Sequence, residues 1–342
     1  MSLILESVKK ALVEGNATVN LKEASTLTGS GSDVGGRVIY DDAFAALRYA
    51  NPLRMVARQV QTIGSDFAFV VKKGNSTDPT NPWDYTVKTN VGSPNQSTAF
   101  WQLPIRSINA VLPIRSAIMS DINALEETVV ADLALEFSQT EALSMMFNND
   151  QSGSTTTLYG AESGLRGLNS YLGSTSAASF GTNGSAITNG IHTMLQVQQA
   201  SATAVVYDDL ANLMAALPPQ YLHHPKTAWM MHPTTINALR KLKASTTANN
   251  FLEVGDDDGG AVVYIFGHPV IPNPYMDVAG DGKFPVYLAC WELFLSIVDN
   301  EVMRLERLEQ TAPGFIYLFA EKRVLSSIRD VFAGVRLVGV AA

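Results

Sequence analysis

Charge is what this sequence has least of. Lys, Arg, Asp and Glu make up 16% of the 342 residues, against roughly 25% in an ordinary soluble domain. A free-standing subunit normally shows more charge, so the shortfall points to surface that something else covers. Bases are scarcer than acids, 24 against 32, and the formal net charge is -8. Sequence-reading contact with nucleic acid needs a basic stripe, and none is present. A wall that tolerates nearby nucleic acid without gripping it remains compatible with this charge. Cysteine is nearly absent. The single Cys290 excludes an intrachain disulfide and a Cys-rich metal site, and suits a reducing compartment. It sits in the apolar run VYLACWELFLSIV, where a thiol is expected to be buried and inert. No apolar run approaches 18 residues, so no membrane-spanning helix is expected. The amino terminus, MSLILESVKKALVEG, lacks the basic leader and long apolar stretch of a secretory signal.

Catalytic and ligand-binding motifs are also missing. The glycines of TLTGSGSDVGG fall at Gly29, Gly31, Gly35 and Gly36; the dinucleotide pattern needs a different spacing and a preceding strand. There is no G-x-S-x-G elbow and no P-loop. His223, His224 and His232 cluster in sequence but lack metal-ligand spacing, and adjacent residues of an extended segment point to opposite faces. Asp256-Asp257-Asp258-Gly259-Gly260 reads as a solvated acidic turn. DVAGDGKFPVYL (277–288) begins like a calcium loop but ends on Leu288 where the bidentate Glu belongs. We therefore expect no enzyme, no cofactor and no metal; a soluble α+β enzyme or binding protein is a distant alternative.

What is present is a sequence of elements. Leu3, Ile4, Val8, Ala11 and Leu12 have helical spacing up to Gly15. A polar tract follows to Gly36 and reads as an extended arm. Val38–Val60 is broken into two short elements at Asn51-Pro52. Phe67–Arg115 reads as a hairpin with a long polar excursion, KKGNSTDPTNPWDYTVKTNVGSPNQSTAF, at 72–100. Its prolines exclude a central strand pair, and its length exceeds that of ordinary loops. Trp83 and Tyr85 are its candidate interface anchors. A long helix at about 120–148 is capped by Ser120 or Asp121 and spans roughly 40 Å. It carries Asp121, Glu126, Glu127, Asp132, Glu136 and Glu141, with no Lys or Arg between Arg115 and Arg166. These acids are expected to find bases elsewhere, at Arg48, Arg54 and Arg58 or at Arg304 and Arg307. Beyond a Gly/Ser-rich stretch, Ile187–Leu217 reads as helix and Tyr221–Met231 as strand. Pro233–Lys243 reads as a short helix capped by Thr234 or Thr235. AVVYIFGHPVIPN, FPVYLACWELFLSIV, Val302–Leu308 and Phe315–Arg323 read as strands. The class is α+β with no regular βαβ repeat.

In combination, these stretches resemble the major capsid protein family of tailed bacteriophages, whose shell fold is shared by encapsulins. The stretches are IMSDINALEETVVADLALEFSQTEALSMMFNND with GLRGL, LPPQYLHHPKTAWMMHPTTINALRKLK, IFGHPVIPNPYM and AEKRVLSSIRDVFAGVRL. Their order carries the likeness, over roughly 38–340. The resemblance implies an N-terminal arm at 1–36, an extended loop at 62–112 and an axial domain at 188–300. It implies a peripheral domain from 37–61, 113–187 and 301–342, with the 120–148 helix as its spine. It further implies a structural subunit that assembles through pentamers and hexamers into an icosahedral head enclosing double-stranded DNA. The encapsulin-type compartment is the alternative. The implied partners are copies of itself, a separate scaffolding protein, a portal and a decoration protein. The implied location is the virion shell, assembled in the host cytoplasm. The resemblance implies that the extended loop lies over a neighbouring subunit, which makes Trp83, Tyr85, Lys72, Lys73 and Lys88 interface candidates; Glu126, Glu127, Asp132 and Glu136 are the pairing candidates on the helix. Some family members join a loop Lys to an Asn near the C-terminal strands. LEQTAPGF (308–315) holds no Asn, so no cross-link is expected.

Overall fold

The computed structural model describes residues 49–75, 96–115, 125–151, 159–175, 190–202, 204–241, 253–257, 260–312 and 315–340. A helical turn at Leu53–Val56 leads into β1 (Arg58–Gln61). Then come β2 (Asp66–Asn75), β3 (Gln96–Pro104), β4 (Arg106–Arg115) and a long helix, Leu125–Phe147. β5 (Leu172–Ser174) and β6 (Thr193–Gln198) precede helices at Tyr207–Ala216 and Pro219–Leu222. β7 (Thr227–Met231) is followed by a helix at Pro233–Arg240, then β8 (Glu253–Asp257), β9 (Gly260–Ile265), β10 (His268–Pro272) and β11 (Val286–Cys290). A helical turn at Trp291–Phe294 opens β12 (Leu295–Ala312), followed by β13 (Phe315–Ile328) and β14 (Gly334–Val338).

The strands form three sheets. An eight-stranded mixed sheet has the order β5-β6-β14-β11-β7-β10-β9-β8, a four-stranded sheet the order β1-β12-β13-β4, and β2-β3 stand as a ribbon of two. Every residue of β7 and β11 is buried. Strands covered on both faces read as continuous apolar runs, and TAWMM and VYLAC are such runs. Trp229, Met231, Val286 and Leu288 pack with Leu210, Leu213 and Leu239 of the covering helices. Ala228, Met230, Tyr287 and Ala289 face the opposite cluster, with Trp291, Phe294, Met145 and Met146. That second cluster extends to Ile297, Val324 and Ile328 of the four-stranded sheet, so one core joins both sheets and the end of the long helix.

The turn after the long helix is built by its last residues. Asn148 is fully buried, and its Nδ2 donates to the carbonyls of Ala161 (2.9 Å) and Leu165 (2.7 Å). Gly164 and Gly167 pass so close that a Cβ would sit 2.5 Å from Asn148 atoms at either position. The GLRGL stretch is thus a packing requirement of the helix end. β9 and β10 are joined by Phe266-Gly267, both at positive φ (50° and 78°), the signature of a tight two-residue hairpin.

Several sequence expectations are corrected. The 187–217 segment is not one helix: Thr193–Gln198 is a strand and only Tyr207–Ala216 is helical. Burial against β14 and β5 overrides its local pattern. The strand read over Tyr221–Met231 begins at Thr227, because Tyr221 lies in a turn of helix that opens at Pro219. The Pro233–Arg240 helix is capped by His232, whose Nδ1 accepts from the Thr234 amide at 3.1 Å; Thr234 and Thr235 lie inside it. WELF is a helical turn between strands. Phe67–Arg115 does not form one hairpin: β3 ends at Pro104, and β4 pairs with β13 in another sheet. β14 lies between β6 and β11 in the large sheet.

Candidate assembly surfaces

Alternation divides the β2–β3 ribbon into two unlike faces. Phe69 is register partner of Trp101, and Val70 of Phe100. Successive side chains point to opposite sides, so Phe67, Phe69, Trp101 and Leu103 share one face. That face packs on Val298 and Leu325 of β12 and β13. The other face carries Val70, 69% exposed, and Phe100, 63% exposed. An isolated two-stranded ribbon is marginal in water, so the inner face must hold it to the body.

Trp101 is the joint. It is 1% exposed, stacks on Phe69 with ring centroids 5.4 Å apart, and meets the His192 ring edge-on at 4.4 Å. Its indole N–H donates to Ser327 Oγ at 3.3 Å. Gly190, at φ +69°, lies against it, and a Cβ there would come within 2.6 Å of Trp101 and 2.8 Å of Arg166. Arg166 is held by Asp150 through paired 3.0 Å bonds. Burial, and next the Arg166 cation, push the His192 pKa down to about 4, so the ring is neutral near pH 7.

The four-stranded sheet also has two unlike faces. One is covered by the long helix, where Leu133 and Phe137 meet Ile108, Ala110 and Ala320. On the other, Val111 pairs with Phe319 and Leu308 with Tyr317. Val111 is 56% exposed and Leu308 44%. β4 is an edge strand and contains Pro113, as edge strands tolerate.

A buried ionic cluster ties the long helix to this sheet. Glu141 is fully buried. Its carboxylate accepts from Arg54 Nε and Nη2, from Lys322 Nζ at 2.6 Å and from Asn51 Nδ2 at 3.1 Å. Arg54 also grips Asp299 at 2.7 and 2.6 Å. Burial alone would lower the Arg54 pKa, but the hydrogen bonds to Asp299 and Glu141 outweigh it and raise it. The cluster spans the Asn51–Arg54 turn, the helix, β12 and β13.

Trp83, Tyr85 and Lys88 lie outside the described residues, as does the Ser120/Asp121 cap. Lys72 and Lys73 fall on β2, and Glu126 and Glu127 on the long helix, but their side chains also lie outside what is described. Asp132 is half-buried and Glu136 exposed. Of the anticipated bases, Arg54 does meet the helix, through Glu141. Lys322, Trp101 and the Val70/Phe100 pair were not singled out by the sequence; of these only Val70 lies in the FAFVV run. The histidines serve separate roles: His232 caps a helix, and His224 Nδ1 lies 3.1 Å from Cys290 Sγ. Burial raises the Cys290 pKa, which keeps that thiol protonated. No cluster able to hold a metal ion occurs among the described residues.

Comparisons with known proteins bear on the family and the fold. The sequence profile described as the phage capsid family matches residues 36–333. No curated protein sequence matches. Among solved structures, the capsid of a native GTA particle superposes with a TM-score of 0.70 at 18% identity, covering 92% of this chain and 100% of that one. The mature capsid of bacteriophage PhiM1 gives 0.54 at 9%, covering 92% and 96%. The SrpI encapsulin of Synechococcus elongatus gives 0.56 at 11%, covering 88% and 92%. The three share the shell fold with this chain.

Proposed function

The chain belongs to the phage capsid family, and on that premise we propose that this capsid protein closes its shell by laying the Val70/Phe100 face of one copy's ribbon on a second copy. The complementary surface is the Val111, Leu308, Phe319 and Tyr317 face of the four-stranded sheet. The observation that carries this is the ribbon itself. Its inner face is anchored by a buried Trp101, while its outer face presents a cross-strand apolar pair to solvent. Fully burying Val and Phe side chains stabilises by about 1.5–3 kcal/mol each. A patch meeting a different patch on the next copy makes rings when the rotation closes. We read those rings as pentamers and hexamers of an icosahedral head enclosing double-stranded DNA, located in the virion and assembled in the host cytoplasm. The acidic balance supports a lining that tolerates DNA without gripping it. The long helix serves as the spine of a peripheral domain, and the large sheet with β14 as the axial domain. The 76–95 tip, with Trp83, Tyr85 and Lys88, extends the same contact. Scaffolding, portal and decoration proteins are the expected further partners. The test is negative-stain electron microscopy of the chain expressed alone. Closed shells or five- and six-membered rings support the reading; a monomer at every salt concentration overturns it.

A further inference from the structure

A second candidate surface mixes polar and apolar side chains. A cleft of about 530 Å³ opens between the Met55–Gln59 segment, which enters the four-stranded sheet, and the β7 and β10 ends of the large sheet. Val56, Ala228 and Ile271 supply its apolar lining, Met55 stands at its rim 83% exposed, and Arg58, Lys226 and Glu292 add charges of both signs. We propose that this cleft is the docking site of the chain's own amino-terminal segment, Leu3–Leu12.

Three observations favour that occupant. The first is where the chain comes from. Tyr49, the first described residue, accepts a hydrogen bond from Tyr275 on its carbonyl, and its hydroxyl reaches the Pro272 carbonyl at 3.5 Å. Pro272 follows the lining residue Ile271, so Tyr49 is tied to the same strand that lines the cleft. The second is reach. Thirty-six residues separate Leu12 from Tyr49, many of them Gly, Ser and Thr. A chain of that length has a root-mean-square span on the order of 33 Å, which keeps the segment at a local concentration in the millimolar range. The third is complementarity. At helical spacing Ile4, Val8, Ala11 and Leu12 share one face, with Lys9 and Glu14 on its two flanks. At roughly 30 Å³ per water-sized group the cleft holds more than the dozen or so side-chain carbons of that face. The flanking charges find both signs on the rim. An apolar face this short cannot make a core of its own, so the segment needs such a surface.

The inference does not rest on the shell reading, and its test uses the full chain below assembling concentrations. Met55→Cys places a thiol at the rim, while Cys290 is fully buried with a raised pKa and stays silent. The maleimide labelling rate is compared between Met55→Cys and the same chain carrying Ile4→Asp and Val8→Asp, with circular dichroism to verify equal folding. We expect labelling to be at least tenfold slower when the segment is intact, with a ratio unchanged over a hundredfold dilution. Rates equal within twofold overturn the proposal. Protection that vanishes on dilution assigns the cover to another copy and overturns it as well.

Discussion

The centre of the large sheet and the β2–β3 ribbon are built from similar residues and reach opposite ends. In β7 and β11 both faces are covered, and no residue is left to solvent. In the ribbon one face is buried through Phe69 and Trp101, and the other leaves Val70 and Phe100 in water. Exposed apolar pairs in an extended ribbon invite edge pairing and aggregation, so a chain that keeps them has a use for them. The centre of the large sheet is covered within one copy. The ribbon leaves an apolar pair uncovered within one copy, and on the proposed reading that difference separates what folds the subunit from what assembles it.

The sharpest way to break that contrast is to cut the joint. Trp101→Ala should cost about 3–5 kcal/mol, read as a lower urea midpoint. An unchanged midpoint would mean that the ribbon is not anchored through Trp101. Next is the ionic cluster. Arg54→Met leaves the buried Glu141 with Lys322 as its remaining cation and should cost about 3 kcal/mol by the same measurement. If the loss is under ~0.5 kcal/mol, the helix is held to the sheet by packing alone.

A comparable effect should appear with pH at His192. Its folded-state pKa of about 4 lies below the ordinary 6.5. Above pH 6.5 the ring is neutral in both states and contributes no pH dependence. From pH 6.5 down to about 4 the unfolded chain takes up the proton and the folded chain does not, so stability falls, by about 3 kcal/mol in total. His192→Phe keeps a ring beside Trp101 and should remove that slope. Identical slopes in both proteins would place His192 in contact with water.

The buried half of this comparison was the more legible in the sequence. TAWMM and VYLAC announce doubly covered strands, and the long helix is evident in its apolar spacing. The helix expected over Ile187–Leu217 failed because β6 owes its conformation to β5 and β14, distant in sequence, which no local window contains. His232 as a cap was hidden because histidine rarely fills that place. The proposed assembly surface has only a location as its counterpart in the sequence, a polar excursion longer than ordinary loops; its residues Val70 and Phe100 were not marked there. Which of Phe69 and Val70 faces the body depends on the register with β3 and on the body beneath it. Trp101 does not stand out in the sequence because its partners Ser327 and His192 are distant along the chain.

The smallest effect on folding should accompany the largest on assembly. In Val70→Asp/Phe100→Asp both changes lie on the exposed face, where substitutions usually stay within about 0.5 kcal/mol. The direct test measures the urea midpoint and the particle yield of this variant beside the unaltered chain. The account predicts an unchanged midpoint with shells and rings lost. A variant that assembles normally would contradict it.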